Sequence, residues 1–153
     1  MSADDFPAFF AAASESHARD NMESGRWSEA DAKGLAQAEL KRMLPHEEKT
    51  AENQLFVLLE VESESKVGYL WYGTQVRGTS RVAFLYQLLI HEDQRRKGYG
   101  RQALKSFERH ALATGHDSLA LNVFASNGAA LRLYESYGFS PTSFGMRKRA
   151  GPQ

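Results

Sequence analysis

The sequence has no cysteine. That excludes disulfides, thiolate metal sites and a cysteine nucleophile, and it agrees with a cytoplasmic location. Net charge is missing too: 19 Lys and Arg balance 19 Asp and Glu. No overall field draws the chain to nucleic acid or to an anionic membrane, and neither is expected as a partner. The apolar runs fall well short of the roughly 20 residues that span a bilayer. The opening MSADDFPAFF lacks the cationic and long apolar regions of a signal peptide. Five histidines (His17, His46, His91, His110, His116) show no ligand spacing, so no metal site is expected.

What is present suits one mixed α/β domain over residues 1–153, with 42% hydrophobic and 25% charged residues. A helix is predicted over 4–20, with Asp4 or Asp5 as cap, Pro7 in its first turn, and Phe6, Phe9, Phe10 and Ala13 at helical spacing. NMESGRW breaks it around Gly25. Ser28 reads as the next cap, and Pro45 stops that second helix. Strands are predicted over 55–61, 66–74 and 82–90, the second with Val67, Tyr69 and Trp71 on one face. A helix over 99–114, a strand over 118–124, a short helix within NGAALRLYESYGF and a last strand in TSFGMRKR complete the order ααβββαβαβ.

QRRKGYGRQAL, residues 94–104, joins the third strand to the next helix. The first amides of a helix have no intrahelical partner and carry the positive end of its dipole, so that end binds phosphate when nothing blocks it. Gly98 and Gly100 remove bulk and permit positive φ, so several amides can point into one concavity. Arg95, Arg96, Lys97 and Arg101 add attraction. The segment reads as a diphosphate cradle; its plainer reading is a solvated loop. No G-K-[ST] follows at P-loop spacing. Gly98 to Ala103 matches G-x-G-x-x-A, but HEDQRRK separates it from the strand and no acid follows SLALNVF, which argues against a dinucleotide fold.

The same residues resemble the GNAT superfamily of acetyl-CoA-dependent N-acetyltransferases. Arg95-Arg96-Lys97-Gly98-Tyr99-Gly100 fits its [Q/R]-x-x-G-x-[G/A] signature, with Arg96 where glycine is commoner. Asn127, Ala130, Tyr134, Gly138 and Phe139 fit its N-x-x-A-x-x-x-Y-x-x-x-G-F segment. The resemblance implies a central twisted mixed sheet flanked by helices. The family's usual first strand is expected to be absent or truncated, leaving the strand at 55–61 as a sheet edge.

The resemblance also implies roles. Acetyl-CoA is the co-substrate, with no metal. Leu88, Leu89 and Ile90 line its pantetheine arm and supply an oxyanion donor. Arg95, Arg96, Lys97, Gly98, Tyr99, Gly100 and Arg101 hold the diphosphate. Asn127 bonds the pantetheine or caps the short helix. Tyr134 protonates the departing thiolate, although periodicity alone places it on an apolar stripe. No carboxylate lies on the 82–90 strand, where Gln87 sits; Glu60, Tyr86 and His91 are weak candidates for the base. Trp27, Trp71 and Tyr72 are expected to wall the acceptor, with Glu23 attracting a cationic amine. The acceptor is a small-molecule or protein amine, and the chain a monomer or homodimer. The alternative is a non-catalytic acyl-CoA-binding module on the same scaffold.

Overall fold

A computed structural model describes residues 1–152. Helices α1 (Phe6–Glu23) and α2 (Glu29–Met43) come first. Strands β1 (Asn53–Leu59), β2 (Lys66–Arg77) and β3 (Ser80–Ile90) follow, then α3 (Tyr99–Ala113), β4 (Ser118–Leu121) and α4 (Gly128–Tyr137). The strands form one sheet in the order β1-β2-β3-β4, antiparallel except for the parallel β3–β4 pair. No strand precedes α1 among the described residues, and β1 is an edge, as expected. No helix among them is long and apolar enough to cross a membrane.

Helices cover both faces of the sheet. Phe9, Ala13 and Leu40 of α1 and α2 pack on Leu55, Tyr69 and Trp71. Leu104, Phe107 and Ala111 of α3 pack on Leu70, Tyr72, Ala83 and Leu85, and α4 joins them through Leu133, Tyr134 and Tyr137. That double cover explains why β2 is buried without interruption from Val67 to Gly73. Ser28 caps α2 by accepting from the Asp31 amide at 3.2 Å. Asp5 sits at the N-cap of α1 but makes no cap bond. Its carboxylate accepts instead from Lys66 Nζ at 2.7 Å and from Ser2.

Three details position the site. A β-bulge interrupts the β2–β3 ladder: Trp71 faces Gln87 and Tyr72 faces Leu85, so Tyr86 is the extra residue. Gly68 brings β2 so close to β3 that a Cβ there would overlap the Leu89 carbonyl. The β3–β4 ladder runs only from Val82↔Ser118 to Leu85↔Leu121, so β4 ends earlier than the expected residue 124.

The final strand expected in TSFGMRKR does not form; residues 139–152 have no regular structure. A strand needs a ladder partner as well as β-propensity. Here Arg147 ties the segment to the carbonyls of Ser24 and Gly25, at 3.3 and 3.0 Å, rather than to the β4 edge. Phe144 and Met146 are left almost fully exposed.

Candidate active site

The glycine turn is built from backbone. After a 3-10 turn at Glu92–Gln94, Arg95 is extended, Arg96 is left-handed at φ 61° and Gly98 at φ 83°. The commoner glycine at position 96 is thus replaced by a residue held at positive φ, a conformation that costs an L-residue about 1–2 kcal/mol. None of the amides of residues 96–101 donates a hydrogen bond among the described residues; the first intrahelical donor is Gln102, to Gly98 at 3.2 Å. Six consecutive free N–H groups at the start of a 15-residue helix make a nest for an anion.

The two glycines do different things. Gly98 has open space where a Cβ would lie, so its φ is what matters. At Gly100, a Cβ would stand 3.1 Å from Leu133 Cδ2, so the missing side chain serves the docking of α4 on α3. The cations stay at the surface, lightly tethered. Arg95 Nε donates to the Ile90 carbonyl at 3.1 Å and Lys97 Nζ to Gln94 at 3.1 Å. Arg101 lies over the Tyr137 ring at 5.6 Å. The Tyr99 phenol turns away and donates to Glu60 at 3.0 Å.

Next to the turn, β3 changes character. Val82 to Leu85 are paired on both sides and buried. Beyond them β4 has parted, Tyr86 is the unpaired bulge residue, and residues 87–90 are paired only with β2. Leu88, Leu89 and Ile90 are half-buried there, and Ile90 offers its carbonyl to Arg95. A narrow cleft of about 180 Å³ runs between α1 and this end of β3, lined by Ser16, Leu89, Ile90 and Arg95 among others. A larger one, about 470 Å³, lies under the first turn of α1 near Phe6, Phe10 and Leu44, remote from the turn.

Helix α4 closes the far side. Asn127 caps it, Oδ1 accepting from the Ala130 amide at 3.2 Å, and Gly138 ends it at φ 119°. Two tyrosines share its apolar stripe. Tyr137 donates to Glu108 at 2.6 Å, so its phenol is engaged. Tyr134 packs against the core cluster that α3 shares with β2 and β3, edge-on to Phe139 at 5.9 Å, and its hydroxyl has no hydrogen-bond partner among the described residues. Burial pushes this phenol up to about 12, and the Asp20 carboxylate adds to the effect.

Known proteins resemble this chain over nearly its whole length. The model of the acetyltransferase (GNAT) family matches residues 17–139. The chain belongs to the GNAT acetyltransferase family. It is 30% identical over 149 residues to YycN of Bacillus subtilis (strain 168), described as an uncharacterized N-acetyltransferase, covering 97% of this chain and 95% of that one. YdgE of the same organism, similarly described, is also 30% identical, over 97% and 94% of the two chains. The crystal structure of YycN superimposes with a TM-score of 0.93, covering 99% of this chain and 96% of that one at 30% identity.

The acceptor side of this GNAT chain departs from the expected wall. Trp71 and Tyr72 are neighbours on a strand and face opposite ways. Trp71 is buried under α1, its Nε1 donating to Asn53 at 2.7 Å. Tyr72 has no exposed surface and pairs with His110 Nδ1 at 2.8 Å on the α3 side. Neither presents a surface to a ligand, so both are corrected to core residues. Trp27 and Glu23 lie together at the α1–α2 turn, Trp27 half-buried and edge-on to His17 at 5.2 Å, Glu23 exposed.

The expected base candidates make their contacts elsewhere. Glu60 is bonded to Ser63 and Tyr99, which hold its carboxyl below the usual range. Tyr86 is wedged between Trp71 and Phe84, with ring centroids 4.8 and 4.9 Å away. His91 packs edge-on to Tyr69 at 5.3 Å. Gln87 donates to Ser16 on α1 at 3.2 Å. One turn further along α1 is Asp20, the carboxylate that reaches Tyr134 electrostatically. Sequence periodicity gave no signal for it, since an acid near a helix end reads as a solvated residue.

Proposed function

We propose that the protein transfers the acetyl group of acetyl-CoA to a primary amine by direct attack, without a covalent enzyme intermediate. One juxtaposition carries the reading: free amides at 96–101, a β3 half at 86–90 with no β4 partner and an unengaged phenol at Tyr134. The diphosphate sits on the amides with Arg95, Arg96, Lys97 and Arg101 around it. The pantetheine runs along Leu88, Leu89 and Ile90, where a backbone N–H freed from the ladder meets the oxyanion. Asn127 keeps its cap, and its side-chain amide NH₂ remains for the pantetheine.

Tyr134 is protonated at neutral pH, as an acid must be. Full transfer to a thiolate whose thiol has a pKa near 8.5 is uphill by about 3–4 pH units, or ~5 kcal/mol. Burial of the sulfur narrows that gap by the same desolvation that raises the phenol. Tyr134 therefore acts first as a hydrogen-bond donor to developing negative charge on sulfur, with proton transfer completing as the thiolate departs.

The test is Tyr134→Phe. We expect kcat to fall about 10- to 10⁴-fold, the range for loss of a positioned general acid, with the CoA dissociation constant unchanged by calorimetry. Undiminished turnover removes Tyr134 from the mechanism. A non-catalytic acyl-CoA-binding module is the second reading, favoured by Gln87 standing where a carboxylate is absent from β3. Thiol release from acetyl-CoA with any amine eliminates it.

A further inference from the structure

Helices α1 and α4 lie on opposite faces of the sheet, and α1 crosses it from β2, where Phe9 meets Tyr69 and Trp71, to β3, where Gln87 donates to Ser16. A continuous sheet would stand between them. Beyond Leu85 and Leu121 the β3–β4 ladder has ended and the sheet is open. Asp20 is four residues after Ser16, so the two share one face of α1, and Ser16 is fixed to β3 by the bond from Gln87. Asp20 thus borders the gap on one side and Tyr134 on the other.

Asp20 also lacks the counterion that a half-buried carboxylate needs. Its cationic neighbours are engaged elsewhere: Arg19 with Glu15 at 3.1 Å, and His17 with Glu39 at 2.7 Å. No side-chain hydrogen bond or ion pair reaches Asp20 among the described residues. Burial, then the charge of Glu23 one turn on, hold its carboxyl above the usual range, and the opposing attraction of His17 and Arg19 does not offset them. Withdrawing a carboxylate from water without a partner is unfavourable. A cation arriving from solution removes that penalty.

We infer that Asp20 receives the acceptor's protonated primary amine in the β3–β4 gap and takes the proton that frees it for attack, with exposed Glu23 as an outer attractor. This rests on the acetyl-transfer reading and narrows the acceptor to alkylammonium compounds. The proton balance is complete. Asp20 accepts one proton from R–NH₃⁺, and the neutral nitrogen bonds to the thioester carbonyl carbon. The C–S bond breaks and the thiolate takes the Tyr134 proton. The phenolate takes a proton from the new amide nitrogen, and Asp20 releases its own to water.

The experiment compares wild type, Asp20→Asn and Asp20→Glu with acetyl-CoA and two amines. One is a primary alkylamine, protonated at pH 7; the other is an aniline, neutral there. Asp20→Asn should lower kcat/KM for the alkylamine about 10²- to 10⁴-fold and abolish the acid limb of its pH profile. The aniline should lose only a few-fold, and CoA affinity should not move. Asp20→Glu, which keeps the charge, should retain the limb. An alkylamine rate and acid limb untouched in Asp20→Asn overturn the inference while leaving acetyl transfer standing. If wild type transfers to no amine, acetyl transfer fails instead. Calorimetry of the alkylamine with the CoA-loaded protein then decides Asp20 alone: binding lost in Asp20→Asn supports it, and no binding to wild type overturns it.

Discussion

The two halves of β3 are built from similar apolar residues and behave differently. Val82-Ala83-Phe84-Leu85 has strand neighbours on both sides and is buried. Leu88-Leu89-Ile90 has a neighbour on one side and is half-buried. The Tyr86 bulge separates them, and β4 ends where the bulge begins. Backbone polar groups inside a protein are nearly always paired, so a half-strand laddered on one side only, beside six free amides, marks a candidate place for a ligand. The first half holds the molecule together; the second leaves one ladder edge open beside the glycine turn.

Three substitutions sharpen that contrast. The largest stability loss is expected in the paired half. Leu85→Ala removes a buried side chain between α3 and the sheet and should cost about 2–5 kcal/mol in denaturant unfolding. CoA affinity of the folded fraction should stay the same; a parallel loss of affinity would mean that the halves are not separable.

Gly68→Ala comes next. The added Cβ overlaps the Leu89 carbonyl, so β2 or the open half of β3 must move. Overpacking of this kind costs about 1–3 kcal/mol. Here CoA affinity should fall along with stability, because the strain falls on Leu89 and Ile90. A thermal melt together with CoA calorimetry reads both.

The smallest effect is on Asp20. Burial, then the Glu23 charge, raise its carboxyl above the ordinary 3.8. Between that value and the raised one, the native state holds more protons than the unfolded chain, so stability falls as pH rises. Asp20→Asn should therefore melt higher than wild type at neutral pH, with the advantage shrinking on acidification and gone below the ordinary carboxyl range. A variant that melts lower at pH 7 would show that Asp20 has a stabilising partner.

Much of the site was legible because it is local. The glycine turn, the Asn127 cap, Gly138 and the Tyr134–Tyr137 stripe are fixed by spacing within one turn or helix. The Trp71–Tyr72 wall failed on a local rule as well, since adjacent strand residues face opposite sides. Gly100 was read as room for phosphate, while its missing side chain accommodates Leu133, a residue of another helix. The strand in TSFGMRKR was read from propensity, which cannot supply the partner that a ladder needs.

Sequence alone determined the elements, the turn chemistry and the family resemblance, because hydrophobic period and capping act over a few residues. Only the tertiary structure decided that β3 and β4 part after Leu85, that the Tyr134 phenol is left unengaged while that of Tyr137 is not, and that Asp20 is half-buried with no hydrogen-bond or ion-pair partner among the described residues. The reason is physical: pairing, burial and the charge felt by a carboxylate depend on groups brought close from distant parts of the chain.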